Sequence, residues 1–211
     1  MGFLHLGTST LSTWPVQLRA YSTKAQLTHL DEHGQASMVD VSDKIPIKRI
    51  ATASGRIYIT KTTYDLITST YPQQQGTSAE NRAVEKARRK GDALTIAQLA
   101  GIMGAKKTAD LIPLCHPLAL SKVDVKFLPE TVCEDSTGSK RQKDRHSVLC
   151  KATVTCEGKT GVEMEALTAV SISLLTVWDM LKAVAGKEME IGDIIVNSKA
   201  GGKSGGFSRT L

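Results

Sequence analysis

The chain has 211 residues, 41% of them hydrophobic and only 4% aromatic, which suits one domain with an aliphatic core. A formal charge of +6 and a pI of about 9.1 favour an anionic partner: a nucleotide, a nucleic acid or an acidic membrane face. No segment reads as a membrane span, and the four cysteines lack the Cys-x-x-Cys spacing of zinc or iron–sulfur sites, so free thiols in a reducing compartment are expected.

No acidic residue precedes Asp31. Residues 1–25 read as a disordered segment, either a transit peptide or a linker, and Arg19-Ala-Tyr-Ser looks like a mitochondrial processing site with cleavage before Ser22. Gln26 to Lys44 is expected to be extended, with a turn at Gly34. Ile57 to Thr60 reads as a strand and Thr62 to Ser69 as a short helix. A polar insertion follows near 71–89, ending in a dense basic run. Thr95 to Leu111 is predicted helical, with Ile96, Leu99 and Met103 as its apolar face. Ala97, Gly101, Gly104 and Ala105 form a small-residue ridge that permits close packing, and Pro113 ends the helix. Val123, Val125 and Phe127 alternate with polar residues as in a strand. A second insertion is read near 131–147, and Ser147 to Cys156 is expected to pair with the preceding strand as a hairpin. Leu167, Val170, Leu174, Trp178 and Leu181 recur at helical spacing, as does a second ridge of Ile172, Leu175, Asp179 and Lys182. That helix is apolar on more than one side, so it should be largely buried. Ile191 to Asn197 is the last predicted strand, and residues 201–206 read as a flexible tail. The order is βαββαβ, an α+β class with helices on one face of an antiparallel sheet.

Several residues carry chemistry. Asp179 and Lys182 put an acid and a base one turn apart on an apolar helix, either a reactive pair or an ordinary surface ion pair. Leu114, Cys115 and His116 lie between Pro113 and Pro117, which stiffen the backbone around a histidine able to clamp or protonate a ligand; a histidine packed at a helix end is the plainer reading. Glu163 and Glu165 open the long helix, where capping explains one carboxylate without needing both. Lys90 precedes a glycine and could approach a phosphate, or be a solvated loop lysine. Gly202-Lys203-Ser204 fails as a P-loop because Asn197 stands where the first glycine is required and no helix follows. Lys199 and Lys203 remain able to meet an anion. Nucleic acid is the non-enzymatic alternative, weakened by the scarcity of stacking aromatics.

Five blocks, in order, resemble the cyclic pyranopterin monophosphate synthase family, the C protein of molybdenum-cofactor biosynthesis. They are Leu27-Thr-His-Leu with Met38-Val-Asp-Val-Ser, Lys90-Gly-Asp-Ala, Asp110-Leu-Ile-Pro-Leu-Cys-His-Pro-Leu, Gly161-Val-Glu-Met-Glu-Ala-Leu-Thr and Asp179-Met-Leu-Lys-Ala-Val. The likeness runs from about Leu27 to Phe207, within a domain set at 26–211. It implies a ferredoxin-like subunit in a homohexamer of three dimers, with the active site at the dimer interface. The implied reaction is a lyase step: (8S)-3′,8-cyclo-7,8-dihydroguanosine 5′-triphosphate becomes cyclic pyranopterin monophosphate and pyrophosphate. No cofactor and no metal site are implied, beyond magnesium that could accompany the triphosphate. By the same resemblance Asp179 is the principal acid/base, Lys182 tunes it or acts with it, and Lys90 transfers protons. Leu114, Cys115, His116, Glu163, Met164 and Glu165 would form the substrate pocket, with Arg49, Lys199 and Lys203 on the phosphates. The implied form is eukaryotic, in the mitochondrial matrix or otherwise cytoplasmic, with the radical GTP 3′,8-cyclase as functional partner and neither nucleic acid nor membrane. A catalytically silent scaffold for that cyclase is the runner-up expectation.

Overall fold

The computed structural model describes residues 29–68, 92–134, 143–202 and 205–209. Its elements are β1 (Ile47–Ile59), α1 (Lys61–Thr68), α2 (Ala93–Lys106), α3 (Thr108–Leu111), β2 (Leu120–Glu134), β3 (Lys143–Gly158), α4 (Glu163–Ala185), β4 (Glu190–Ala200) and β5 (Phe207–Ser208). The strands form one antiparallel sheet in the order β2-β3-β1-β4-β5. Read from β4, the first four strands run 4-1-3-2 with helices crossing between them, so the α+β, ferredoxin-like expectation holds with β5 added at one edge.

β1 is thirteen residues long, far beyond the predicted Ile57–Thr60. Its inward positions are small at first: Ala51, Ala53 and Gly55, then Ile57 and Ile59, all buried. The reason is the closeness of α4. A Cβ on Gly55 would stand 2.9 Å from both Val170 and Ile194 side chains, so only glycine lets the helix settle on the central strand. Thr52, Ser54, Arg56 and Tyr58 alternate onto the other face, where the hydroxyls of Thr52 and Thr153 are 3.0 Å apart.

The register Val125↔Ala152 and Val123↔Val154 gives the expected β2–β3 hairpin. The insertion predicted near 131–147 is smaller than expected. Pairing continues to Glu134↔Lys143, so residues 131–134 and 143–147 belong to the strands. The polar sequence of these ends conceals their strand character. The tail is also corrected: beyond Gly201 and Gly202 the chain returns to pair Phe207 with Lys199. The expectations for residues 1–25 and for the insertion near 71–89 lie outside the described residues.

α2 packs by its small-residue ridge, as expected, while its predicted apolar face is left exposed. Asp92 caps it, its carboxylate accepting from the Leu94 and Thr95 amides at 3.0 and 3.3 Å. The small ridge faces inward, with Ala97, Gly101, Gly104 and Ala105 buried, whereas Ile96, Leu99 and Met103 are exposed. α2 and α4 approach closely enough for the Ser173 hydroxyl to donate to the Ala97 carbonyl at 3.1 Å. The predicted helix 95–111 breaks at Lys107 into α2 and α3.

α4 spans the helix layer. Contrary to the sequence reading, it does have the length and hydropathy of a membrane span. Here it packs across the sheet, burying Ala166, Ala169, Val170, Leu174, Val177 and Leu181. Its second ridge is not buried: Leu175 is exposed, and so are Asp179 and Lys182.

Candidate active site

One cavity of about 850 Å³ opens where the start of α4, the α3–β2 connection and the ends of β1 and β4 meet. Leu114, Cys115, His116, Glu163, Met164, Glu165, Arg49 and Lys199 all line it. Thus eight residues singled out from separate sequence blocks share one wall. Lys90 and Lys203 lie outside the described residues.

The connection carrying Leu114, Cys115 and His116 is extended before the first proline, at Ile112 (φ −112, ψ 106), but Pro113 and Leu114 form a turn instead of the extended run expected, closed by the Cys115 amide donating to the Ile112 carbonyl at 3.0 Å. Burial, and then the nearby Glu165, push the Cys115 thiol above its ordinary range, which keeps it a thiol. Cys115, Cys150 and Cys156 are free thiols, as expected. The His116 ring donates Nε2–H to the Val39 carbonyl at 2.9 Å.

That bond exposes a part of the site that the sequence reading missed. Residues 39–47 run across the cavity mouth as a strap, with Val39, Val41, Asp43, Lys44, Ile45 and Ile47 along the lining. Lys159 adds a second latch, its ammonium donating to the Ser42 carbonyl at 2.8 Å. Lys159 also lines the cavity. Its only sequence signal was a basic residue just before the Thr160-Gly161 turn into α4.

Arg49 is mainly committed to backbone. Its Nε donates to the Gly158 carbonyl at 2.8 Å and Nη2 to the Lys159 carbonyl at 3.1 Å. These bonds fix the β3–α4 loop and leave Nη1 beside Gly202, where a Cβ would come within 2.5 Å of it. Gly201 meets a similar constraint: its φ is +89, and a Cβ would lie 2.5 Å from the Lys48 carbonyl. Lys199 reaches back from β4 to pair with Glu163 at 2.9 Å.

α4 begins without a side-chain cap, since Val162 occupies the N-cap position. Free amides at a helix start, with the positive end of the helix dipole, attract anions. Together with the positively charged side chains of Arg49, Lys44, Lys159 and Lys199 in its lining, they give the cavity an electrostatic preference for a negatively charged ligand. Replacing Lys199 by alanine should raise KM about tenfold or more with a smaller change in kcat, as loss of a charge-assisted hydrogen bond does; steady-state kinetics read both.

Asp179 and Lys182 stand apart from this cavity. They form an ion pair, Nζ to Oδ1 2.5 Å, at the far end of α4. Asp179 lies sixteen positions along the helix from Glu163, a rise of about 24 Å. The single chain therefore brings together the predicted binding residues but not the predicted acid/base pair.

Fold and site define an α+β protein with a basic pocket built around a helix start. The sequence profile of the MoaC family matches residues 38–202, and the chain belongs to that family. It is 48% identical over 182 residues to a cyclic pyranopterin monophosphate synthase from Parvibaculum lavamentivorans, covering 86% of this chain and 96% of that protein. It is 50% identical over 183 residues to one from Jannaschia sp. (87% and 94%), and 46% identical over 188 residues to one from Campylobacter jejuni (88% and 99%).

Proposed function

We propose that this chain is a cyclic pyranopterin monophosphate synthase. It converts (8S)-3′,8-cyclo-7,8-dihydroguanosine 5′-triphosphate to cyclic pyranopterin monophosphate with release of pyrophosphate, an early phosphorus–oxygen lyase step of molybdenum-cofactor biosynthesis. The observation that carries this reading is the single cavity that gathers Leu114, Cys115 and His116 with Glu163, Met164 and Glu165, in a chain so like named synthases over most of its length. Arg49, Lys199 and Lys203 serve the triphosphate; no cofactor is required, and magnesium can accompany the phosphates.

The acid/base pair reaches the substrate from a second copy of the chain. Asp179 and Lys182 of one subunit complete the cavity of its neighbour, within a hexamer of three dimers. The exposed apolar side chains of Ile96, Leu99 and Met103 on α2 and Leu175 on α4 support such an assembly, since they leave the helix layer unfinished in one subunit. Asp179 moves protons, Lys182 tunes its ionisation, and Lys90 supplies a further proton-transfer group. Lys90→Ala is expected to fold normally and turn over at least about 100-fold more slowly, the lower range for loss of a general acid or base. A mild effect in a turnover assay would remove Lys90 from the mechanism.

The acid-free stretch before Asp31 supports a mitochondrial matrix address for a eukaryotic form, with the cytoplasm as the alternative; import of a fluorescent fusion tests it. The radical GTP 3′,8-cyclase is the functional partner that supplies the substrate. The deciding experiment supplies purified protein with that substrate and follows pyrophosphate and the cyclic pyranopterin together. Both should appear. Tight binding without turnover would instead make the protein a scaffold.

A further inference from the structure

The strap across the cavity mouth is held to the domain lightly. Its side chains lie outside the hydrophobic core. Among the described residues, two hydrogen bonds from the body of the domain reach it: His116 donates to the Val39 carbonyl and Lys159 to the Ser42 carbonyl. A carbonyl can be gripped only if the chain turns it toward the gripping group, so the path from Val39 to Ser42 has to be set. Val39 and Val41 line the cavity, whereas Asp40 between them is exposed and does not line it. Its carboxylate is turned back on the strap instead. A single oxygen, Oδ1, accepts from the Ser42 amide at 2.8 Å and from the Ser42 hydroxyl at 2.6 Å. An acceptor two residues upstream bends the chain as a backbone turn would.

A second turn follows at once, closed by the Lys44 amide donating to the Val41 carbonyl at 3.1 Å. Ser42 belongs to both turns, and its own carbonyl is left 2.8 Å from the Lys159 ammonium. The other side of this latch is fixed as firmly. Arg49 on β1 donates to the Gly158 and Lys159 carbonyls, so the main chain of Lys159 is tied to the sheet while its side chain crosses to the strap. Charge works in the same direction. The hydroxyl and then the amide of Ser42 hold the Asp40 carboxyl below the ordinary carboxylate range, and the Lys159 ammonium adds a smaller pull the same way.

We propose that Asp40 is a positioning residue of the pocket: it folds the strap so that Lys159 can grip the Ser42 carbonyl, and so holds Val41, Asp43, Lys44 and Ile45 over the cavity mouth. That the cavity so covered takes the cyclic dihydro-GTP substrate rests on the synthase reading; the latch itself does not. Asp40 acts only through the main chain, on the outer side of the strap. A solvated turn without consequence for the pocket is the plainer role, and it predicts no coupling between Asp40 and Lys159.

Amide hydrogen exchange of the intact protein without substrate tests the latch, with wild type compared with D40A, D40N, K159A and the D40A/K159A double variant. In D40A the amides of residues 41–45 should exchange about tenfold faster, as when a hydrogen bond to a charged group is lost. β3 and α4 should keep their protection, which shows the fold intact. D40N retains an oxygen that accepts from Ser42 and should stay close to wild type. The losses in D40A and K159A should not add in the double variant, because both open the same latch.

With the cyclic dihydro-GTP substrate, D40A should raise KM about tenfold and change kcat less, the split expected when binding is weakened and chemistry is spared. Unchanged exchange of 41–45 in D40A, D40N as loose as D40A, additive loosening in the double variant, or faster exchange without a rise in KM would overturn the proposal. Exchange as expected in a wild-type protein that turns nothing over would instead count against the synthase reading and leave the latch standing.

Discussion

Asp179→Ala should yield a protein that folds, assembles and binds substrate, yet releases pyrophosphate at least about 100- to 10,000-fold more slowly than wild type. Folding is spared because the Asp179 side chain is 61% exposed, and exposed substitutions shift stability by about 0.5 kcal/mol or less. The larger consequence comes from α4, which carries the pocket at one end and Asp179 at the other. If each site takes its pocket from one subunit and its acid from the other, Asp179→Ala and His116→Ala damage different halves. Mixing these two inactive proteins after dissociation should restore about a quarter of wild-type activity, because half of the dimers are mixed and each mixed dimer has one intact site. Pyrophosphate release before and after reassembly is the measurement. Continued inactivity, with mixed assemblies confirmed by mass spectrometry, would sink the shared site.

Gly101→Leu should be the most damaging single change in the helix layer. A Cβ at this position would lie 2.0 Å from the Ser173 hydroxyl and 2.9 Å from the Ala169 carbonyl. The second of these is backbone and cannot rotate away. The insertion must part α2 from α4 and break the Ser173–Ala97 hydrogen bond. Overpacking of this kind costs about 1–3 kcal/mol or more, which lowers the melting temperature of a domain this size by several degrees. An unchanged melting curve by calorimetry would show that α2 can shift at little cost.

The same contact explains why parts of the fold were hard to read from sequence. α4 was legible because large aliphatic residues mark its faces every three or four positions. α2 was legible in its close-packing ridge of Ala97, Gly101, Gly104 and Ala105, but hydrophobicity also marked Ile96, Leu99 and Met103 as a face, and these are exposed in the single chain. β1 hid for a related reason: it does alternate, but its inward residues are Ala51, Ala53 and Gly55, too small to stand out. The outer parts of the β2–β3 hairpin carry no apolar alternation and looked like an insertion.

The site divides along similar lines. Leu114, Cys115 and His116 stood out because two prolines frame them, and Glu163 and Glu165 because one helix start does not need two acids, but only the family resemblance put all five in one pocket. The separation of Asp179 from the cavity follows from helix length, yet the ion-pair spacing alone gave no hint of it. The strap was invisible. Its two latches are made through backbone, and nothing in Val39 or Ser42 advertises a carbonyl.

That last feature bears on how such a protein can change over generations. His116 and Lys159 grip the strap through the carbonyl oxygens of Val39 and Ser42. Every amino acid offers the same oxygen, so the latch makes no demand on which side chain sits at the gripped position. The two latching residues are constrained by reach and charge, whereas the gripped positions need only keep the path of the main chain. The hold on the strap at these two points thus depends on the main-chain path alone, and any constraint on its side chains comes from keeping that path or from the cavity they line.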